Sequence, residues 1–218
     1  WLAANPHRFN LGRIGLWLKN RDGSVAGAKD IQQPSQSFDL WSAVAVSTFE
    51  LDGQPVKVTT VGDPYRDMVA FKIESPLIQM GRLGVFIYFP YANLNVFSNG
   101  SDYNNPQLHQ TILRSQRDKG AIFERTLDST NYGVKVQWNG INHIEKEAQH
   151  RYRFVPQGGQ EIEYVFSFAP PEVKLINTSF NNIKAGSARY WPSFWKSGGF
   201  IDLSSSRDNR WRELERRV

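Results

Sequence analysis

The 218 residues contain no cysteine. Disulfides, a thiolate nucleophile and cysteine-based zinc sites are therefore excluded. Long apolar runs are also missing. The longest, LGVFIYF at residues 83–89, falls far short of the ~20 residues that cross a bilayer as a helix, so no membrane span is expected. There is no low-complexity tract and no internal repeat of the kind that builds solenoids or propellers. The phosphate-cradling glycine loops GxGxxG and GxxxxGK[ST] are absent, as are the HExxH zinc motif and the GxSxG elbow. A strong excess of one charge is lacking too. The net charge is +5, and residues 189–218 hold seven Lys and Arg against four Asp and Glu, which leaves the body nearly balanced. A nucleic-acid-binding domain spreads a basic stripe over its folded surface, and no such partner is expected here.

Aromatic residues are plentiful, with seven Trp, eight Tyr and fourteen Phe. They suit the pleated, half-buried surfaces of a β-rich core. They also suit a sugar-handling protein, whose Trp and Tyr faces stack on pyranose rings. Short period-two runs separated by turn chemistry predict at least nine strands. WSAVAVSTFEL (41–51) turns at Asp52-Gly53 into PVKVTTVG (55–62), a strong hairpin signal. DMVAFKIES (67–75) and GRLGVFIYFPY (81–91) read as a second pair, and AIFERTL (121–127) and YGVKVQWNG (132–140) as a third. HRYRFVP and EIEYVFSFAPP, joined by QGGQ, read as the clearest hairpin. Residues 106–120 fit a short helix or a long loop. The predicted fold is mainly β and antiparallel, a large sandwich or barrel.

After about residue 185 the pattern changes. SSSRDNRWRELERRV predicts a helix with Ser205 as N-cap and Asp208 completing a capping box. Trp211, Leu214 and Val218 form one apolar stripe. Asp208 with Arg212 and Glu213 with Arg217 are acid-before-base pairs at i, i+4. Nothing later in these residues receives that stripe.

No catalytic constellation is legible. His7, His109, His143 and His150 are scattered without metal-ligand spacing, and His143 beside Glu145 and Glu147 reads as a solvated strand or turn. Asp63 and Asp67 read as parts of a turn around Pro64. Asn99-Gly100-Ser101 and Asn177-Thr178-Ser179 fit the N-glycosylation pattern. No catalytic residue, metal ligand or cofactor site is assigned.

NPHRFNLGRIGL (5–16), GDPYRDMVAFKIESPL (62–77), GRLGVFIYFPY (81–91) and RYWPSFWKSGGFIDLSSSRDNRWRELERRV (189–218) together resemble the N-terminal part of bacterial and fungal glycoside hydrolases. Those enzymes have a six-hairpin (α/α)6-barrel catalytic domain and are loosely similar to the family 65 glycosidases and phosphorylases. The resemblance implies a β-supersandwich over residues 1–185, and a linker with the first helix towards the barrel over 186–218. It implies that the catalytic acid and base lie on the barrel, beyond Val218, so that this piece is non-catalytic. Trp191, Phe194, Trp195 and Trp211 become apolar anchors between sandwich and barrel, with Gly198 and Gly199 allowing a backbone turn. In related architectures this segment runs near the active-site mouth. That gives Asp202 a second role, hydrogen bonding to sugar hydroxyls, and a Trp face a ring to stack on. Arg207 is placed to pair with Asp202 in either case. The implied partners are a carbohydrate and the chain's own C-terminal catalytic domain, and the implied location is periplasmic or extracellular. The alternative is a free-standing carbohydrate-binding module with an exposed aromatic platform such as Trp17, Trp41 or Trp138. A third is a structural sandwich without a ligand.

Overall fold

The computed structural model describes residues 10–93, 99–199 and 201–217. Twelve strands follow one another: β1 (Arg13–Leu18), β2 (Ile31–Asp39), β3 (Val44–Leu51), β4 (Gln54–Gly62), β5 (Met68–Glu74), β6 (Leu83–Tyr88), β7 (His109–Arg117), β8 (Gly120–Leu127), β9 (Thr130–Trp138), β10 (Ile141–Ala148), β11 (Arg151–Gln157) and β12 (Glu161–Ala169). The helices are a single turn, α1 (Pro76–Gln79), then α2 (Phe180–Phe194) and α3 (Trp211–Arg217). A four-stranded sheet of order β1-β6-β11-β10 faces an eight-stranded sheet of order β2-β3-β4-β5-β12-β9-β8-β7. All pairings are antiparallel, as expected for the sandwich.

The Asp52-Gly53 hairpin forms as predicted. Leu51 pairs with Gln54, and both turn residues have positive φ, 51° and 72°, the type I′ geometry that matches strand twist. The β8–β9 hairpin also forms, with Leu127 opposite Thr130. Two expected pairings do not. β5 pairs with β4 and β12, whereas β6 lies in the other sheet between β1 and β11. QGGQ does not close a hairpin either: β11 belongs to the small sheet and β12 to the large one. In both cases the connection arches from one layer to the other. Alternating aromatics produce the same pattern whether two strands lie side by side or face each other across a core.

Residues 106–120 are mostly strand β7, preceded by one 3-10 turn at Pro106–Leu108, which corrects the helix-or-loop expectation. β2, which the sequence pattern did not mark, and β7 are the two edges of the large sheet. Edge strands expose one rim and much of their faces, so they tolerate the polar residues of IQQPSQSFD and HQTILRSQR. Pro34 falls where the β2–β3 register shifts, between Gln32 and Ser35, a position where its missing N–H does no harm.

The core lies between the sheets. Phe154 of the small sheet is ringed by four aromatic side chains of the large one: Trp138 at 5.8 Å, Phe123 at 6.4 Å, Tyr164 at 6.0 Å and Phe166 at 5.8 Å between ring centroids. Several of these contacts are edge-to-face, the arrangement the ring quadrupoles favour. The Tyr164 hydroxyl is buried but bonded, accepting from Asn142 Nδ2 at 2.7 Å.

A second apolar layer covers part of the large sheet's outer face. Ser179 caps α2, its hydroxyl accepting from the Asn182 N–H at 3.2 Å. Phe180 and Ile183, at helical spacing, then bury against Val44, Val61, Ala70 and Val165. This helix runs across the position of residue 185, over residues the sequence reading divided between sandwich and linker. α3 begins at Trp211 rather than just after Ser205, and no Ser205–Asp208 capping box forms. Asp208 instead accepts from the Arg210 N–H at 3.0 Å and ion-pairs with Arg210. The Glu213–Arg217 pair forms at 2.6 Å. Val218 and His7 lie outside the described residues.

Replacing Phe154 by Ala should cost about 3–5 kcal/mol, read as a lowered urea midpoint at unchanged m-value. A loss below about 1 kcal/mol would mean that the two sheets do not depend on this ring.

Candidate functional site

The aromatic run expected to carry contacts sits at the C-terminal half of α2, past the part that covers the sheet. The helix is fastened there between two turns. On one side the Ser187 hydroxyl donates to the Ser42 carbonyl and the Trp195 indole N–H to the Leu40 carbonyl, both at 2.7 Å. On the other side Tyr190 meets Tyr65 of the β4–β5 turn edge-to-face at 5.1 Å. Trp191 stacks on Trp195 at 5.8 Å, and Phe194 packs against both, at 5.4 and 5.1 Å. The three expected anchors thus form one ladder. Trp191 and Trp195 are half-buried, and Phe194 is 41% exposed. Leu40 and Trp41, beside the Trp195 bond, are exposed as well. After Trp195 the chain makes a wider helical turn, Trp195–Gly199, where Gly198 has φ 112°, a conformation glycine adopts without strain.

The remaining expected residues stand apart from this ladder. Asp202 is exposed, and its carboxylate accepts from the Ser204 N–H at 2.9 Å; the Ser204 hydroxyl first, and then this N–H, hold it below the ordinary carboxylate range. No Asp202–Arg207 ion pair occurs among the described residues. Trp211 is half-buried, with the Arg212 guanidinium 5.5 Å from its ring, and Leu214 of the same stripe is exposed. The Glu215 carboxylate reaches back to the Leu203 N–H and ties this loop to α3.

Of the three indoles considered as a platform, only Trp41 is open. Trp138 is buried, its N–H donating to the Asp118 carbonyl at 3.0 Å. Trp17 is buried under the Arg153 guanidinium at 3.9 Å. Arg153 in turn pairs with Glu145 and Glu147, so the acidic pair near His143 is a surface ion network. A hollow of about 900 Å³ opens near Phe49, Val56 and Pro76. Three of its four charged groups are engaged with neighbours, Lys57 with Glu74 at 3.2 Å and Glu161 with Lys72 at 2.7 Å.

Sequence spacing gave no sign of the densest buried polar cluster. His109 and His150 stack with centroids 3.8 Å apart, and Arg125, 1% exposed, lies against them. No carboxylate is among its partners. Its donors reach the Gln110 carbonyl, the Thr111 hydroxyl, the Pro90 carbonyl, His109 Nδ1 and the Tyr132 hydroxyl. All five N–H groups of a guanidinium are thereby used, and its face lies 4.9 Å from the Phe89 ring. Because arginine only donates, His109 Nδ1 must accept and the ring must be neutral. His150 Nε2 donates to the Pro106 carbonyl at 2.8 Å, and its Nδ1 accepts from Thr111 at 2.7 Å. The cluster joins the end of β6, the start of β7, β8, β9 and, through Tyr132, the Leu11 carbonyl. Every member is occupied in holding another, so it is a structural pin. No group of three or more His, Cys, Asp or Glu among the described residues is arranged to hold a metal ion. Among the described residues, no helix is long and apolar enough to cross a membrane.

Burial, with Arg125 and His150 adding to it, lowers the His109 pKa from 6.5 to about 4. The unfolded chain therefore takes up a proton between these values that the folded chain refuses. Stability should be fully present above pH 6.5, fall as the pH drops towards 4 and level off below. Urea midpoints across this range, with the His109 ring titrated by NMR, check it. A His109 pKa at or above 6.5 would contradict it.

No protein-family model matches the chain, and no curated protein matches it. Solved structures do. A protein designated a kojibiose phosphorylase, from the human microbiome, superposes with a TM-score of 0.54 at 10% identity, over 83% of this chain and 27% of its own. A bacterial glucoamylase, solved with acarbose, gives 0.54 at 10% identity, over 84% of this chain and 31% of its own. The chain thus spans less than a third of the length of these two proteins. At this identity the likeness is one of fold, and it agrees with the resemblance noted in the sequence: the chain has an antiparallel β-sandwich fold found in carbohydrate-active enzymes.

Proposed function

We propose that this chain is the non-catalytic β-sandwich of an enzyme acting on carbohydrate, and that it supports and shapes the active site of a helical-barrel domain packed against α2 and residues 201–217. The observation that carries this reading is the unfinished aromatic ladder. Covering the sheet requires α2 only as far as Ser187, yet the helix continues for two more turns bearing Tyr190, Trp191 and Phe194. Exposed Leu40, Trp41, Phe194, Ile201 and Leu214 accompany it. Apolar rings held in place by hydrogen bonds at Leu40 and Ser42, but left half open, are suited to a second apolar surface. The substrate class rests on the two structural neighbours, one designated a kojibiose phosphorylase and the other a glucoamylase. Periplasmic or extracellular location belongs to the same proposal. In this role Asp202 and Arg207 line the seam between the two domains. A second reading, a free-standing carbohydrate-binding module, is favoured by Trp41, which is 51% exposed.

The test separates the parts. The 218-residue chain and the helical portion that its gene is expected to encode downstream are produced separately and mixed. They should co-elute, and Trp195→Ala or Phe194→Ser should weaken association about tenfold or more without loss of fold. The chain alone should release no product from aryl glycosides. A gene lacking such a portion, parts that ignore each other, or turnover by the chain alone that is lost on a single carboxylate substitution would overturn the proposal.

A further inference from the structure

A cleft of about 510 Å³ lies on the flank of α2 opposite the Leu40 bond, between the helix and the β4–β5 turn. Its walls are Tyr65, Tyr190 and Phe194, with Arg189, Ser193 and Ser197 along the helix. The volume falls within the range of small-molecule sites. Tyr65 is 74% exposed although it stands on a structured turn, where Asp63 accepts its N–H at 2.9 Å. Its edge-to-face contact with Tyr190 fixes one ring against the other, and Tyr190 lies parallel to Phe194 at 6.4 Å. The aromatic walls are thus positioned before any ligand arrives, which reduces the ordering cost of binding.

Apart from the Ser197 hydroxyl, which donates to the Phe194 carbonyl at 2.9 Å, the polar side chains are unused. The Tyr65 and Tyr190 hydroxyls, the Ser193 hydroxyl and the Arg189 guanidinium have no hydrogen-bond or ion-pair partner among the described residues. This contrasts with the 900 Å³ hollow, where charges pair with each other. Gly186 contributes no side chain to the cleft, and a Cβ built there would meet nothing within 4 Å.

We infer that this cleft binds a pyranose ring of an oligosaccharide. The C–H face of such a ring packs on a tyrosine face, and its equatorial hydroxyls radiate to the rim, where Arg189, Ser193 and the phenol hydroxyls meet them. The lining has no carboxylate, and its one charged group, the Arg189 guanidinium, repels a cationic ligand that the aromatic faces would otherwise attract. A nucleotide would also stack, but its phosphates call for several cations, and the lining supplies one guanidinium. The site shares only Phe194 with the seam of the preceding section, which otherwise uses the Trp191–Trp195 flank, and it stands whether or not a helical domain follows.

The experiment is calorimetric titration of the 218-residue chain with maltotriose, isomaltotriose, cellotriose and trigalacturonate. At least one should bind with a dissociation constant in the millimolar range or tighter. Tyr65→Ala should weaken it by about tenfold. Arg189→Gln should weaken it as well. Gly186→Leu fills the cleft without removing any group and should abolish binding while keeping or raising the melting temperature. Trp41→Ala, on the other flank, should leave binding unchanged. Absence of binding by all four sugars would overturn the inference, as would binding indifferent to Tyr65→Ala and Gly186→Leu. Binding lost only with Trp41→Ala would overturn it too.

Discussion

The packing of one aromatic surface on another holds this molecule together. Phe154 of the small sheet enters a ring of Trp138, Phe123, Tyr164 and Phe166 from the large one, and Tyr152 adds a further contact to Phe123 at 4.7 Å. Large rings bury much apolar area at little loss of side-chain freedom, so a few of them can hold two sheets face to face. The arrangement of connections follows from it. β5 and β6, and β11 and β12, are sequence neighbours whose apolar faces meet across the core instead of lying in one sheet.

The polar interior obeys the same constraint in another form. Arg125 cannot keep its charge in the core without partners for every donor. It finds them in two backbone carbonyls, two hydroxyls and an imidazole. These partners come from segments remote in sequence, and their mutual satisfaction closes the sandwich at the β7–β8 end. The neutrality of His109 is the consequence, since a proton on Nδ1 would face the guanidinium. What looks like a catalytic assembly of two histidines and an arginine is engaged in holding its own members together.

The outer face of the large sheet is treated differently. Its apolar strip under Phe180 and Ile183 is closed by α2, and the helix then continues past the sheet's end. One flank of that extension presents indoles and the exposed Leu40–Trp41 turn, and the other presents tyrosine hydroxyls and a guanidinium that have no partner among the described residues. An apolar flank suits a protein surface and a mixed aromatic–polar flank suits a sugar, so one helix serves two proposed contacts without conflict.

Local pattern alone determined the β class, its antiparallel character, the Asp52-Gly53 turn and the existence of a terminal helix, because strand alternation and turn chemistry are short-range properties. The Trp191, Phe194 and Trp195 grouping was also legible, since helical spacing brings such residues together. Edge strands β2 and β7 were hidden because a rim strand needs little apolar alternation, and α2 before residue 185 because its apolar residues are few, with Ser187 and Gly186 between them. Tertiary structure alone decided which sheet each strand joined. It also brought His109 to Arg125 and to His150, the latter about forty residues away in sequence, and set Tyr65 beside Tyr190, over a hundred residues apart. Such contacts depend on how two layers and a helix stack, and stacking is settled by the sum of core packing rather than by any single stretch of chain.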